Sequence, residues 1–402
     1  MTTVSIRSGF RSTGIITLYC LISTIIADNS ANAQTIRFAT YNASLNRRRA
    51  GELVEDLQRG DEQAKKVAEI IQRIRPDILL INEFDYDADG RAAELFHDQY
   101  LAQGQRDQQP IEYRYRFLAP VNTGVPTGMD LNRDGRSDSG NDAFGFGNFP
   151  GQYGMVVFSK FPILESDIRT FQNFRWADMP DAALPTEPGT NQPYFTDQAL
   201  EILRLSSKSH WDVPIQIENM VVHLLASHPT PPVFDGPEDR NGRRNHDEIR
   251  LFADYIDPSR SNYIYDDKGR RGGLAEGAHF VIVGDLNADP IDGDDFQDAA
   301  RQLTDHSLIN AHVTPESEGG AVAAREFSDK NSSQKGNPRQ DTSNFSEGSG
   351  PGNLRVDYVL PSATLTITDK GIFWPAPGED GADLVDASDH RAVWIEVPVE
   401  AQ

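Results

Sequence analysis

The sequence is almost devoid of cysteine, and this limits the chemistry open to it. Its 402 residues include a single cysteine, Cys20. One thiol cannot build an intramolecular disulfide framework or a multi-cysteine metal site. Because Cys20 lies in an N-terminal segment that we interpret below as a removable leader, we expect no thiol chemistry in the remaining chain.

Long hydrophobic runs are also missing. The main apolar run extends from Gly14 to Ala27, after two arginines and before the small residues "ANA" at 31–33. A run of about 14 residues is too short to span a bilayer, and this order of basic, apolar and small residues is typical of a secretory signal. We therefore predict a signal peptide over residues 1–33, a secreted or periplasmic location and no membrane span.

Positive charge is scarce. The chain has 38 Lys and Arg residues against 61 Asp and Glu residues, which gives a formal net charge of −23. Such a surface repels polyanions at long range. The best basic clusters, "NRRRA" at 46–50 and "RNGRRNHDEIR" at 240–250, are short. Nucleic acid is therefore a possible but not a favoured partner, and the oligomeric state stays undetermined.

What the sequence does contain is an alternation of strand and helix patterns, which predicts an α/β fold. A strand is expected over "TIRFATYN" (35–42), with Ile36 and Phe38 on one face, and a helix from Asp61 to the residues before Pro76. Further strands are expected at "DILLINE", "YGMVVFSKFPI", "VPIQIENMVVHLLASH", "HFVIVGD", "LRVDYVLPS" and "RAVWIEV", and a further helix at "HDEIRLFADYI".

Long polar insertions interrupt this pattern at about 122–150, 165–200 and 313–352. The last has the composition of a disordered segment. None of the three is typical of an interdomain linker. We therefore predict one domain over residues 34–402.

Polar side chains follow the apolar runs. They are Asn42, Glu83, His228, Asp285, Asn287, Asp357, Asp389 and His390. Each alone is compatible with a turn or a helix cap. Strand ends are also where α/β sheets present catalytic groups, and eight caps or turns together are less plausible than one site.

These residue types suit phosphoester hydrolysis. Glu83, Asn42 and Asp389 offer the oxygen ligands that Mg²⁺, Mn²⁺ and Ca²⁺ prefer. His228 and His390 can move protons or contact a phosphate oxygen near neutral pH, and Asp357 could fix the tautomer of one histidine.

Six segments occur in an order that resembles a known family. "ATYN", "PDILLINE", "ASH", "VGDLNADP", "RVDYVL" and "SDHRAVW" are similar to motifs of the endonuclease/exonuclease/phosphatase superfamily. The similarity extends from about Thr35 to Val397, and the long insertions fall outside it. It implies a four-layer α/β sandwich in which two packed mixed β-sheets are flanked by helices.

The resemblance also implies roles. Glu83 would bind an active-site Mg²⁺ or Mn²⁺, with Asn42 in support and Asp389 as a further ligand. Asp285 would orient or deprotonate the attacking water, and Asn287 would hold a phosphoryl oxygen. His390, oriented by Asp357, would contact the phosphoryl oxygens or act as a base. His228 would serve as the general acid for the leaving oxygen. Asp289, in contrast, is expected to make only a turn.

A second metal site is predicted in the first insertion. "DLNRDGRSD" places Asp130, Asn132, Asp134, Arg136 and Asp138 at positions 1, 3, 5, 7 and 9 of a loop of EF-hand type, with glycine at position 6. Asn141 stands where a bidentate glutamate is usual, although Asp142 follows it. We predict Ca²⁺ binding here, with a plain acidic turn as the alternative.

The stretch "RLSSKSHWDVPI" (204–215) alternates like a strand, with Lys208, His210 and Asp212 on one face. The simpler interpretation is an exposed strand face. The other is that Lys208 and His210 bind the substrate phosphate or its leaving group.

The sequence therefore predicts a secreted phosphoesterase that depends on a divalent metal ion and hydrolyses phosphate mono- or diesters by in-line attack of water. One alternative is an extracellular nuclease acting on DNA or RNA. An alternative from another class is a non-catalytic, calcium-dependent binding protein on the same scaffold.

Overall fold

A computed structural model describes residues 1–6, 9, 34–346 and 350–399. The predicted leader, residues 1–33, lies outside the described residues except for 1–6 and 9. The strands are β1 Gln34–Asn42, β2 Ile78–Asn82, β3 Tyr115–Phe117, β4 Met155–Ser159, β5 Arg169–Thr170, β6 His210–Ile217, β7 Met220–Ser227, β8 His279–Asp285, β9 Ser343–Phe345, β10 Gly352–Leu354, β11 Asp357–Pro361, β12 Asp369–Ile372 and β13 Val393–Val399.

The α-helices are α1 Glu52–Arg59, α2 Glu62–Ile74, α3 Arg91–Phe96, α4 Asp197–Ile202, α5 Arg240–Tyr255, α6 Arg301–Thr304, α7 Glu318–Glu326 and α8 Ser328–Asn331. A π-helical turn, His97–Leu101, extends α3, and short 3-10 turns lie at Gly140–Asp142, Trp176–Asp178, Ser261–Tyr263, Pro338–Gln340 and Ala382–Ala387. Within the described ranges, no helix is both long enough and apolar enough to cross a lipid bilayer.

Two mixed sheets form the centre of the molecule. One has six strands in the order β12-β13-β1-β2-β4-β3, and the other has five in the order β11-β8-β7-β6-β5. The neighbours β1 and β2 run parallel, as do β7 and β8. Strands β9 and β10 form a separate hairpin.

The core divides into three apolar layers, which confirms the predicted four-layer sandwich. Strand β1 shows how alternation assigns the faces. Its Ile36 and Phe38 pack between the two sheets, as predicted, while Ala39 and Tyr41 face α1, α2 and α3. Helix α5 covers the other side of the five-stranded sheet, where its Ile249 and Phe252 pack with Ile282 of β8.

Helix α2 has the predicted start and stop. The Asp61 carboxylate accepts a hydrogen bond from the Ala64 N–H at 2.7 Å, so Asp61 is the N-cap. The helix ends at Ile74, and Arg75 takes a left-handed conformation (φ 48°) before Pro76. Proline has no N–H to continue the helix.

Two predictions about local structure were wrong. Helix α5 begins at Arg240, six residues before the predicted start at His246. Its buried side includes Asn245, Asp247 and Glu248, and these polar residues hide the helical periodicity in the sequence.

The segment 313–352, predicted to be disordered, contains α7, α8, β9 and β10, with residues 347–349 outside the description. Tertiary contacts hold it. The carboxylate of Asp292 accepts hydrogen bonds from the N–H groups of Lys335 and Gly336, and Asn331 accepts one from Asn353 N–H.

Candidate active site

The parallel strand pairs of both sheets end at the same edge. In the six-stranded sheet, β1 ends at Asn42, which pairs with Asn82 at the end of β2. In the five-stranded sheet, β7 leads to His228 and β8 ends at Asp285. The Asn42 side-chain amide donates to Asp285 Oδ2 at 3.0 Å. This hydrogen bond joins the two sheets at the edge where these parallel strand pairs end.

Asn82 reinforces this junction, and sequence reasoning missed it. Its fully buried amide accepts hydrogen bonds from Thr40 Oγ1 and Asp285 N–H and donates one to the Ser227 carbonyl, each at 3.3 Å. Asn82 directly precedes the predicted ligand Glu83. An amide at the end of an apolar strand is the sequence feature that could have identified Asn82 as a site residue. Its position fixes the backbone of Asp285.

Asp285 is the centre of the site. Its Oδ2 lies 3.3 Å from His228 Nε2, 3.4 Å from Asn287 Nδ2 and 3.7 Å from His390 Nε2, in addition to the bond from Asn42. Four of the predicted site residues therefore surround one carboxylate oxygen. Its Oδ1 accepts the Asn287 N–H at 2.9 Å.

The backbone on either side of Asp285 has positive φ angles at Gly284 and Asn287. Gly284 has φ 147°, and a Cβ there would clash with the Ser227 carbonyl oxygen, so only glycine lets β7 and β8 approach this closely. Asn287 takes a left-handed conformation (φ 52°), which asparagine tolerates better than most residues. Asp289 is a turn residue, as predicted, because its Oδ1 accepts the N–H groups of Ile291 and Asp292.

His390 and Asp357 form a buried ion pair. His390 Nδ1 lies 2.9 Å from Asp357 Oδ2, as predicted for an orienting carboxylate. Burial alone would lower the pKa of His390, but Asp357 and Asp285 outweigh it and raise the pKa to about 10. Burial raises the pKa of Asp357 to about 6, against the opposing charge of His390. At neutral pH the pair is therefore an imidazolium and a carboxylate.

His228 differs from His390 in that its imidazole is neutral at pH 7. Burial lowers its pKa to about 4, and the charge of Lys208 adds to the effect. The imidazole is therefore neutral at pH 7, and its Nδ1 is buried without a hydrogen-bond partner among the described residues. Burial would raise the pKa of Asp285, but His390, His228 and Asn42 hold it well below its usual range.

Glu83 fits the predicted cation site. It follows β2 in a left-handed conformation (φ 57°), and its carboxylate accepts hydrogen bonds from the amides of Asn42 at 3.2 Å and Asn46 at 2.7 Å. Burial raises its pKa. Among the described residues, no Lys, Arg or His nitrogen lies within 4.0 Å of it. A half-buried carboxylate with no ion-pair partner within this distance suits a hard divalent cation.

Asp389 is close enough to influence this carboxylate but differs from it in exposure. Its side chain is exposed and accepts a hydrogen bond from Ser44 Oγ at 3.2 Å. Its negative charge raises the pKa of Glu83, although burial is the larger cause. The predicted metal residues Asn42, Glu83 and Asp389 are thus brought to one place.

Asp285, Asp357 and His390 form a second group whose ligand atoms lie within 4.8 Å of one another. His390 lies between the two carboxylates, 2.9 Å from Asp357 and 3.7 Å from Asp285. This group and the Glu83 carboxylate are therefore the two candidate cation sites.

Lys208 and His210 do not line an exposed strand face. Strand β6 begins at His210, and Lys208, His210 and Asp212 are all buried. His210 does not reach the substrate side, because Ser206 Oγ (2.6 Å) and the Glu248 carbonyl (2.8 Å) engage its two nitrogens and Phe252 packs against its ring. The structure therefore gives no support to the alternative in which His210 binds the substrate, and the favoured alternative, an exposed strand face, is wrong. Lys208 differs from His210, because its ammonium contacts the Pro229 carbonyl that also accepts the Asn287 amide.

In the loop Asp130–Asp138, the side chains bond mainly to the loop itself. Asp130 accepts from the N–H groups of Asp134 and Gly135, and Asn132 donates to Asp134 at 3.0 Å. Asp138 pairs with Arg136 Nε at 3.1 Å. Asp142 instead accepts from Ser139 and Leu131. These contacts fix a tight turn, and calcium binding stays a prediction.

Comparisons with known proteins bear on the family and the fold of the chain. A sequence profile described as the Endonuclease/Exonuclease/phosphatase family matches residues 39–390. An endonuclease/exonuclease/phosphatase from Beutenbergia cavernae DSM 12333 has 16% identity and a TM-score of 0.50, over 92% of this chain and 72% of that one. No curated protein sequence matches.

Two further solved structures are similar to most of this chain, with lower TM-scores. A family protein from Leptotrichia buccalis C-1013-b has 12% identity and a TM-score of 0.47, over 90% of this chain and 99% of that one. Sphingomyelinase C from Streptomyces griseocarneus has 14% identity and a TM-score of 0.46, over 91% and 99%. At such identities the likeness concerns the fold alone.

Proposed function

Because the chain belongs to the endonuclease/exonuclease/phosphatase family, we propose that it is a divalent-metal-dependent phosphoesterase that acts on small phosphate mono- or diesters. Members of this family are generally metal-dependent hydrolases of phosphoesters. The observation that supports this proposal most directly is the convergence of Asn42, His228, Asn287 and His390 on the carboxylate of Asp285, beside Glu83.

Glu83, Asn42 and Asp389 would hold Mg²⁺ or Mn²⁺. The cation supplies positive charge that stabilises the phosphoryl oxygens as negative charge builds on them. Asp285 has a lowered pKa, so it stays ionised and orients the attacking water by accepting its hydrogen bond. Asn287 donates its amide to a phosphoryl oxygen.

The two histidines have different roles because they differ in charge. His390 is an imidazolium at neutral pH, so it donates a charged hydrogen bond to the phosphoryl group and does not act as a base. His228 is neutral and hydrogen-bonds to Asp285, so proton delivery to the leaving oxygen requires that His228 first gains a proton.

Small esters are favoured over nucleic acid because protein groups engage much of the two basic clusters. In "NRRRA", Arg47 pairs with Asp56 at 2.7 Å and Arg49 with Glu55 at 2.6 Å. In the second cluster, Arg244 keeps its charge but donates to the carbonyls of residues 144, 204 and 205. Side chains held in this way are poorly placed to follow a phosphate backbone. An extracellular nuclease is the alternative.

Two parts of the proposal rest on the sequence alone. Export of the protein follows from the pattern of residues 1–33, and Ca²⁺ binding follows from the spacing in Asp130–Asp138. A non-catalytic binding protein would have no need for both histidines, and full activity of the double variant Glu83→Ala, His390→Ala would favour that alternative.

The test is the initial rate on 4-nitrophenyl phosphate, bis(4-nitrophenyl) phosphate and supercoiled plasmid, using metal-stripped protein with Mg²⁺, Mn²⁺ or Ca²⁺ restored. We expect metal-restored hydrolysis of a small ester. We expect His390→Ala to lose roughly 10²-fold or more in rate, as for other preorganised donors. His279→Ala is the matched control, since His279 starts β8 at the opposite end from Asp285.

Rapid nicking of plasmid with inert small esters would favour the nuclease. Hydrolysis that survives His390→Ala, or that needs no metal, would refute the proposed site.

A further inference from the structure

Lys208 is a buried cation without an ion-pair partner. It precedes β6, whose His210 pairs with Ser227 of β7, so Lys208 lies opposite Pro229 beyond the end of the sheet. Its side chain is buried, and among the described residues no carboxylate lies within 4.0 Å of its ammonium. Its one hydrogen bond, to the Pro229 carbonyl, is long at 3.5 Å. A buried ammonium so weakly satisfied is destabilising unless something else binds it.

The ammonium lies at the catalytic centre. The same Pro229 carbonyl oxygen accepts the side-chain amide of Asn287 at 3.1 Å, and that amide lies 3.4 Å from Asp285 Oδ2. Burial lowers the pKa of Lys208, while Glu248, Glu83 and Asp285 oppose this effect. The charge of Lys208 is therefore close enough to act on residues from both sheets.

The chain around Lys208 is rigidly held. The fully buried carboxylate of Glu248 accepts the N–H groups of Ser207 at 2.5 Å and Thr230 at 2.7 Å, which ties the Lys208 segment to the segment after His228. The Lys208 carbonyl accepts the Asn122 N–H at 2.8 Å, from the start of the first insertion. The ammonium is thus positioned before any substrate arrives, as efficient binding requires.

We propose that Lys208 is a substrate-binding residue whose ammonium donates a hydrogen bond to a non-bridging oxygen of the phosphoryl group, beside the amide of Asn287. This inference rests on the proposed function. A bound phosphoryl anion supplies the counter-charge that Lys208 lacks, so the same side chain that lowers stability in the free protein raises affinity for phosphate.

The probe is inorganic phosphate, the product common to phosphomonoester hydrolysis, and the readouts are its dissociation constant with Mg²⁺ present and the melting temperature with and without it. Lys208→Met removes the charge, and Lys208→Gln removes the charge but keeps a donor to Pro229. We expect both to weaken phosphate binding roughly 10- to 100-fold, the range for a charged hydrogen bond. Without phosphate, the melting temperature should be unchanged or higher.

Lys160→Met is the matched control. Lys160 pairs with Asp77 at 2.9 Å, before the start of β2 and far along the strand from Glu83, so phosphate affinity should not change. Wild-type affinity in both neutral Lys208 variants, or a lower melting temperature with unchanged affinity, would overturn the proposal. If Lys208→Met does not fold, Lys208→Gln decides.

The two proposals can fail separately. Phosphate binding that depends on Lys208, without turnover of any ester, would refute the proposed function and support the role of Lys208. Ester hydrolysis whose inhibition by phosphate is the same in wild type and in the Lys208 variants would support the proposed function and refute the role of Lys208.

Discussion

The Asp357→Asn substitution tests the electrostatics of the site most directly. Asp357 Oδ2 lies 2.9 Å from His390 Nδ1, and Asp357 is the first of the carboxylates that raise the His390 pKa to about 10 against the effect of burial. A neighbouring opposite charge raises a pKa by roughly 1 to 3. The isosteric amide should therefore bring the His390 pKa to roughly 7 to 9.

The same change alters how stability depends on pH. The folded-state pKa of His390 lies above that of the unfolded chain, which is about 6.5. The stabilisation is thus fully present below pH 6.5 and is lost as the pH rises through 10. Between these values the folded protein holds one more proton than the unfolded chain, so the free energy of unfolding should fall by about 1.4 kcal/mol per pH unit.

Urea unfolding from pH 6.5 to 10, in EDTA, measures this slope, and NMR titration of the imidazole measures the pKa itself. In wild type the contribution of His390 to the slope of the free energy of unfolding with pH should persist to about pH 10. In Asp357→Asn it should end at roughly pH 7 to 9. Asp357 is fully ionised in wild type only well above its pKa of about 6, so the difference between the two proteins isolates His390 from about pH 7 upwards. Identical slopes and an unchanged imidazole pKa would refute the assignment of the charge to this pair.

Three further predictions concern the rest of the site. Glu83→Gln should weaken Mg²⁺ binding at least 10-fold by calorimetry, because it removes the unpaired carboxylate, and unchanged affinity would move the cation elsewhere. Asn82→Ala should lower the free energy of unfolding by about 2 to 4 kcal/mol in urea titrations, because it leaves Ser227 and the Asp285 N–H unsatisfied, and should slow turnover by roughly 10²-fold. If the insertion binds calcium, Ca²⁺ should raise the melting temperature of wild type but not of Asp130→Ala, and an equal rise in both would discard that site.

The residues that end the strands could be identified without coordinates. An apolar run that stops at a carboxylate or amide marks a strand end, and in α/β sheets such ends present chemistry. For this reason Asn42, Glu83 and Asp285 could be named as candidates. His390 was named with them, although it precedes β13 and does not end a strand, and the six ordered motifs pointed to the fold. Local chemistry also identified the Asp61 cap and the Asp289 turn, since both depend on neighbours a few residues away.

What required tertiary structure was every property set by residues distant in the chain. Lys208 and His210 stand two positions apart, yet one reaches the catalytic edge and the other is enclosed by Ser206, Glu248 and Phe252. Strand alternation gives both the same face, and it cannot supply the partners that distinguish them.

The described part of the polar segment 313–352 has regular structure for the same reason: hydrogen bonds to groups elsewhere in the chain, such as the Asp292 carboxylate that accepts from Lys335 and Gly336, take the place of the apolar core that its composition lacks. The two site histidines differ in charge, since His228 is neutral and His390 is cationic at pH 7. This difference likewise depends on burial and on the carboxylates that each histidine contacts. The sequence by itself determined which residue types stand at the strand ends. Only the packing of one sheet against the other brought Asn42 and His390 to Asp285, because these two contacts join residues more than 100 positions apart.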